Sequence, residues 1–131
     1  MPRRMTQTNP GTHQVLKNIA FENRVIGWLM QDGWQIFTPI VDNGHKTDFL
    51  ISDGPNFYRI QVKTIDAKSD DQYVENRWKG SNIDCVIYFA RNSNWGYVIP
   101  AFTQNRRKLN SDGHVKFSQT KKDFLKAFHK V

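Results

Sequence analysis

The stretch Thr47–Thr64, T-D-F-L-I-S-D-G-P-N-F-Y-R-I-Q-V-K-T, constrains the fold more than any other part of the sequence. Two runs of alternating apolar and polar residues flank Ser52-Asp53-Gly54-Pro55-Asn56, and the Asp-Gly-Pro cluster is a strong turn signal. The pattern predicts a β-hairpin. Pairing Ser52 with Phe57 across a four-residue loop sets the register, with Phe49 opposite Ile60 and Asp48 opposite Gln61. A period of two then puts Phe49 and Ile51 on one face with Tyr58, Ile60 and Val62. Asp48, Arg59, Gln61 and Lys63 share the other. One face is core, while the other gathers an acid, an amide and cations within cross-strand reach. The competing reading of that second face is a plain solvated surface, common in antiparallel sheets.

At 131 residues the chain predicts a single domain, 1–131, able to bury roughly two-thirds of its unfolded surface. An apolar content of 38% with 13% aromatic residues excludes wholesale disorder. One cysteine, Cys85, excludes a disulfide framework and a Cys-rich zinc site, and suits a reducing compartment. No run approaches the roughly 18 apolar residues of a membrane span, and the first residues lack a signal-peptide pattern. The expectation is a soluble, cytoplasmic protein with no membrane partner. Net charge is +7 and unevenly spread. Residues 1–30 hold four Lys/Arg against one acid, residues 31–100 seven against nine, and residues 101–131 eight against two. Two basic ends around a slightly acidic centre point to a polyanion, with a merely solvated basic surface as the alternative. Acids kept at the centre of a nucleic-acid binder invite a metal-site explanation.

Residues 1–11 read as a flexible tail, and Thr12 as the N-cap of a helix running to about Gln31, before Asp32-Gly33. Val15, Ile19, Ile26 and Leu29/Met30 form its apolar stripe, and Glu22 falls in the middle of that seam. Desolvating a carboxylate there is costly unless a metal or a cation meets it. Trp34–Ile40 reads as a strand, Val41–Lys46 as a polar loop, and residues 65–80 as a flexible excursion of functional length. Ile83–Ala90 is a continuous apolar run suited to a strand covered on both faces. Trp95–Pro100 follows as a strand, Ala101–Lys108 as a short basic helix, and His114–Phe117 as an edge strand. A last helix, capped by Ser118 or Thr120, runs to His129, and residues 101–131 together form a basic C-terminal extension. The order predicts an α/β (α+β) fold, a mixed β-sheet flanked by helices.

A helix packed on the hairpin brings Glu22 towards Asp48. Two carboxylates and the Val62 backbone carbonyl make an oxygen-rich site of the kind Mg²⁺ takes. Lys63 would stand beside it, an ammonium able to stabilise a phosphate under attack. That chemistry is phosphodiester hydrolysis. His13, His45, His114 and His129 are scattered without metal-ligand spacing, Cys85 reads as a packing residue, and Asp42 is a reserve ligand. Trp78, set among charges, is the tryptophan least clearly assigned to the core.

These residues resemble the PD-(D/E)XK nuclease superfamily, and more narrowly its group I intron-associated homing endonucleases. The resemblance runs from F-E-N-R-V-I-G-W through T-D-F-L-I and Y-R-I-Q-V-K-T to I-D-C-V-I-Y-F-A and W-G-Y-V-I-P, about residues 15–100. It implies a restriction-endonuclease-like domain, Glu22 and Asp48 as metal ligands, and Lys63 as the catalytic lysine. Gln61 takes the acidic position of the (D/E)XK motif, and the intron-associated branch resembles this sequence in having Gln.

The reading is therefore a Mg²⁺-dependent, site-specific double-strand DNA endonuclease of the homing type, with Mn²⁺ as a substitute metal. Glu22, Asp48, Gln61 and Lys63 are its catalytic set, and Glu22, Asp48 and Val62 its metal ligands. Double-stranded DNA is the partner, and two cuts in antiparallel strands call for a homodimer or homotetramer. Arg24, Lys68, Arg77, Lys79, Arg106, Arg107, Lys121 and Lys122 are the expected DNA contacts, some of those in 66–79 reaching base edges. A Holliday-junction resolvase with the same metal site and a non-catalytic basic DNA-binding module are the alternatives.

Overall fold

The computed structural model describes residues 1–42 and 44–131. Asn43, inside the loop expected over 41–46, lies outside the described residues. The hairpin forms from β2 (Phe49–Ser52) and β3 (Phe57–Ile65), paired Phe49↔Ile60 through Ser52↔Phe57 as the alternation predicts. Its turn is held by the Asp53 carboxylate, which accepts from the Asn56 amide at 3.0 Å, and Gly54 takes the positive φ (116°) the turn requires.

β1 (Gln35–Phe37) pairs antiparallel with β2, and β5 (Cys85–Ala90) runs parallel to β3. β6 (Trp95–Pro100) and β8 (Val115–Ser118) complete a six-stranded mixed sheet in the order β1-β2-β3-β5-β6-β8. Every residue of β5 is buried, as its unbroken apolar run predicts. Its Cys85, Ile87 and Phe89 join the core under α1 (Pro10–Gln31) and α2 (Lys121–Phe128). Val86 and Tyr88 join a second core on the opposite face. Burial pushes the Cys85 thiol up to about 12, which fits a packing role.

That second face is closed by residues expected to be mobile or helical. β4 (Tyr73–Glu75) lies inside the 65–80 excursion and pairs antiparallel with β7 (Arg106–Lys108), a strand where a short helix was expected. Val74, Trp78, Phe102 and Leu109 are buried beneath this ribbon, and the Trp78 indole donates to the Phe102 carbonyl at 3.2 Å. Trp78 is therefore core. The two strands are thirty residues apart, so nothing local in either announces its partner.

α1 also departs from expectation. Asn9 is its N-cap, accepting from the Gly11 amide at 2.9 Å, with Pro10 opening the helix where its missing N–H does no harm. The inward seam runs along Phe21, Val25, Trp28 and Leu29 rather than through Val15 and Ile19, which are 54% and 46% exposed. Glu22, one position off that seam, sits half-buried at its edge. Residues 101–131 supply Leu109, Phe117, Phe124 and Ala127 to the two cores.

Gly96 sits in β6 where a side chain has no room. A Cβ there would lie 2.3 Å from the Tyr88 carbonyl oxygen and 2.5 Å from the Phe117 ring. Gly96→Ala is expected to destabilise the fold by about 1–3 kcal/mol, read as a lowered urea midpoint with an unchanged slope.

Candidate active site

Asp48 stands where the hairpin ladder ends. Its amide donates to the Ile60 carbonyl at 3.0 Å, although Ile60 already faces Phe49, so Asp48 does not continue the register opposite Gln61. Doubling two residues against one is how a strand re-aims a side chain. The freed carboxylate instead accepts from the Val62 amide at 2.6 Å. N–H and C=O of one residue in an extended strand point to the same side, so the Val62 carbonyl opens on this edge too.

Glu22 reaches the same place from α1. Its carboxyl is pushed up to about 7, first by burial and then by the negative charge of Asp48. Asp48 is also raised, chiefly by burial and slightly by Asp42, while the Val62 N–H and the Lys63 ammonium pull it down. Asp48 thus has two groups that favour its charge, and its negative charge in turn disfavours charge on Glu22. Lys63 is lowered by burial, with Asp48 opposing and Lys46 and Arg77 adding. An acid pair that resists double ionisation, next to a partly desolvated ammonium, is the electrostatic pattern of a functional centre.

Gln61 is buried at 6% exposure, and its Oε1 has no hydrogen-bond partner among the described residues. Two carboxylates and an open carbonyl are the kind of oxygen donors that fit Mg²⁺, and the orphaned Gln61 oxygen is a further donor of that kind on the same strand. Among the described residues no three Asp, Glu, His or Cys side chains converge as a metal cluster, so any such site would depend on the amide and carbonyl oxygens. Asp42, the reserve ligand, is engaged locally, accepting from the Thr47 amide at 3.2 Å.

Lys63 and Val62 also line a cleft of about 480 Å³ whose walls include Asn18, Tyr73, Arg77 and Arg91. Three of these were missed in the sequence. The Arg91 guanidinium donates to Thr64 Oγ1 at 2.8 Å and pairs with Asp66 at 2.9 Å, while Thr64 donates to Asn18 at 2.9 Å. Arg91 follows directly on β5, at the carboxyl end of the parallel β3–β5 pair, a place where α/β sheets commonly bind ligands. That position was the signal available.

The expected DNA contacts fall into two groups. Lys68, Arg77 and Lys79 are exposed on the excursion and Arg106 on β7, beside the cleft. Arg107 is turned inward, 5.9 Å over the Phe102 ring and donating to the Asp112 carbonyl at 3.2 Å. Arg24 is exposed on α1, over Phe21. Lys121 and Lys122 open α2, which packs on the other face of the sheet from the ribbon, so the fold does not gather them with Arg77 and Arg106. The four histidines stay scattered; His129 is held by Asp32 at 2.8 Å.

No protein-family model matches the sequence, and no curated protein does. Among solved structures, the chain is similar to the bacterial homing endonuclease I-Ssp6803I, with 19% identity, a TM-score of 0.54, and coverage of 80% of this chain and 75% of that one. It is also similar to Hjc, a Holliday junction resolvase from the archaeal hyperthermophile Archaeoglobus fulgidus, with 14% identity, a TM-score of 0.48, and coverage of 80% and 86%. At these identities the likeness speaks to the fold alone.

Proposed function

Starting from the PD-(D/E)XK-type nuclease fold that the chain shares with I-Ssp6803I, we propose that it is a divalent-metal-dependent DNA endonuclease of the homing type, cutting both strands at a preferred site. The observation that carries the reading is the coupling of Glu22 to Asp48 with Lys63 alongside. Glu22, Asp48, the Val62 carbonyl and Gln61 Oε1 are the groups that would hold Mg²⁺, or Mn²⁺ in its place. A cation bound there supplies Lewis-acid polarisation of the scissile phosphate and a more acidic attacking water. The protein's own groups do the rest. Asp48 is fixed by the Val62 N–H, and Lys63 places a positive charge where the phosphoryl oxygens become more negative. Arg77 and Arg91, along the cleft, hold the neighbouring phosphates. The whole chain acts as one nuclease unit, and a symmetric homodimer or homotetramer presents one site to each strand.

Incubation with plasmid, linear duplex and four-way-junction DNA, in Mg²⁺ or in EDTA, tests this. The expected result is metal-dependent double-strand cutting of linear DNA. A strong preference for junctions would make the protein a resolvase. DNA binding without cutting of any substrate, in Mg²⁺ or Mn²⁺, would leave a non-catalytic binding module and overturn the enzyme.

A further inference from the structure

We propose that the β4–β7 ribbon enters the major groove and that Arg106, with Glu75 opposite it, reads base edges there; this rests on the DNA-endonuclease reading above. A two-stranded antiparallel ribbon is one of the two elements that the major groove admits. The register pairs Tyr73 with Lys108 and Glu75 with Arg106, and all four side chains are exposed on the outer face. The inner face is anchored: Val74 is buried and Arg107 lies over Phe102. The outer residues therefore stand on a rigid base, as base reading requires.

Their chemistry suits the task. Arginine presents a fork that fits guanine O6 and N7, and glutamate accepts from the amino group of cytosine. Neither Glu75 nor Arg106 is in an ion pair among the described residues, although the two face each other across the ribbon. The Arg106 guanidinium instead rests 4.4 Å over the Tyr73 ring, with Lys108 at 5.9 Å, which pre-orders two long cationic side chains. Tyr73 and Glu75 also line the cleft that contains Lys63, so the ribbon adjoins the proposed centre. Three residues of strand span about 10 Å, matching about three base-pair steps of 3.4 Å.

The experiment selects bound duplexes from a library with a randomised centre, in EDTA so that no DNA is cut. The wild-type chain, Arg106→Ala, Arg106→Lys, Glu75→Gln and Lys79→Ala are compared. The wild-type chain is expected to enrich a motif, and both Arg106 variants to flatten one guanine position of it with a tenfold to hundredfold loss of discrimination. Arg106→Lys keeps its charge, so its affinity for unselected DNA should stay within about threefold; a purely electrostatic Arg106 would leave the motif untouched in that variant. Glu75→Gln should change preference at a neighbouring position of the motif, and Lys79→Ala should weaken all sequences alike. If both Arg106 variants return the wild-type motif, or the wild-type chain enriches none, the ribbon is not a reader. Cutting in Mg²⁺ is scored separately: a ribbon-dependent motif without cutting would sink the enzyme and spare the ribbon.

Discussion

Asp48→Asn and Lys63→Ala are each expected to slow DNA cleavage by about 10²–10³-fold while leaving affinity for DNA within about threefold. The asparagine keeps an oxygen that can accept from the Val62 amide, so the end of the β2–β3 ladder should hold. What disappears is the charge next to Glu22. Lys63→Ala removes the ammonium that faces Asp48 and the cleft, and with it a stabilising charge for the phosphate under attack. Because both residues act on one centre, the double variant should be little slower than either single one. Single-turnover cleavage together with filter binding measures this. Cutting at the wild-type rate by Asp48→Asn would mean that the site lies elsewhere.

Glu22→Gln is expected to abolish most cleavage and yet stabilise the metal-free protein above neutral pH. The Glu22 carboxyl titrates at about 7 in the folded chain, against an ordinary value of 4.5. A raised carboxyl keeps its proton in the folded state after the unfolded chain has lost it. Its contribution is therefore complete below pH 4.5 and is lost as pH rises from there to about 7. At pH 8 the wild-type chain carries a half-buried like-charge pair that the glutamine variant lacks. After allowance for solvent screening the difference is on the order of 1 kcal/mol, or about 3–5 °C in Tm, and it should vanish at pH 4. Mg²⁺ should reverse the order, raising Tm in the wild-type chain at pH 8 far more than at pH 5.5 and scarcely at all in the variant. A variant less stable than wild type at both pH values would show that Glu22 makes a structural contact instead.

Residues 47–65 were the most legible part of the sequence. Turn chemistry at Asp53-Gly54 and a period of two fixed the pairing of Phe49 with Ile60 and of Ser52 with Phe57, because both signals are local. The burial of β5 was equally readable, since an unbroken apolar run has no face to give to water. Glu22 could be singled out as an anomaly near an apolar seam, though its depth could not.

The amino-acid order by itself therefore determined the hairpin and the doubly covered strand, and it singled out the residues proposed for the nuclease centre. Tertiary structure alone decided that Asp48 leaves the ladder to take the Val62 amide, and that α1 turns Val25 rather than Ile19 inward. It also decided that Tyr73–Glu75 and Arg106–Lys108 become one ribbon, and that Arg91 and Thr64 share a cleft with Lys63. Each of these depends on contacts between segments remote in sequence, where periodicity carries no information and burial against a particular partner sets the outcome.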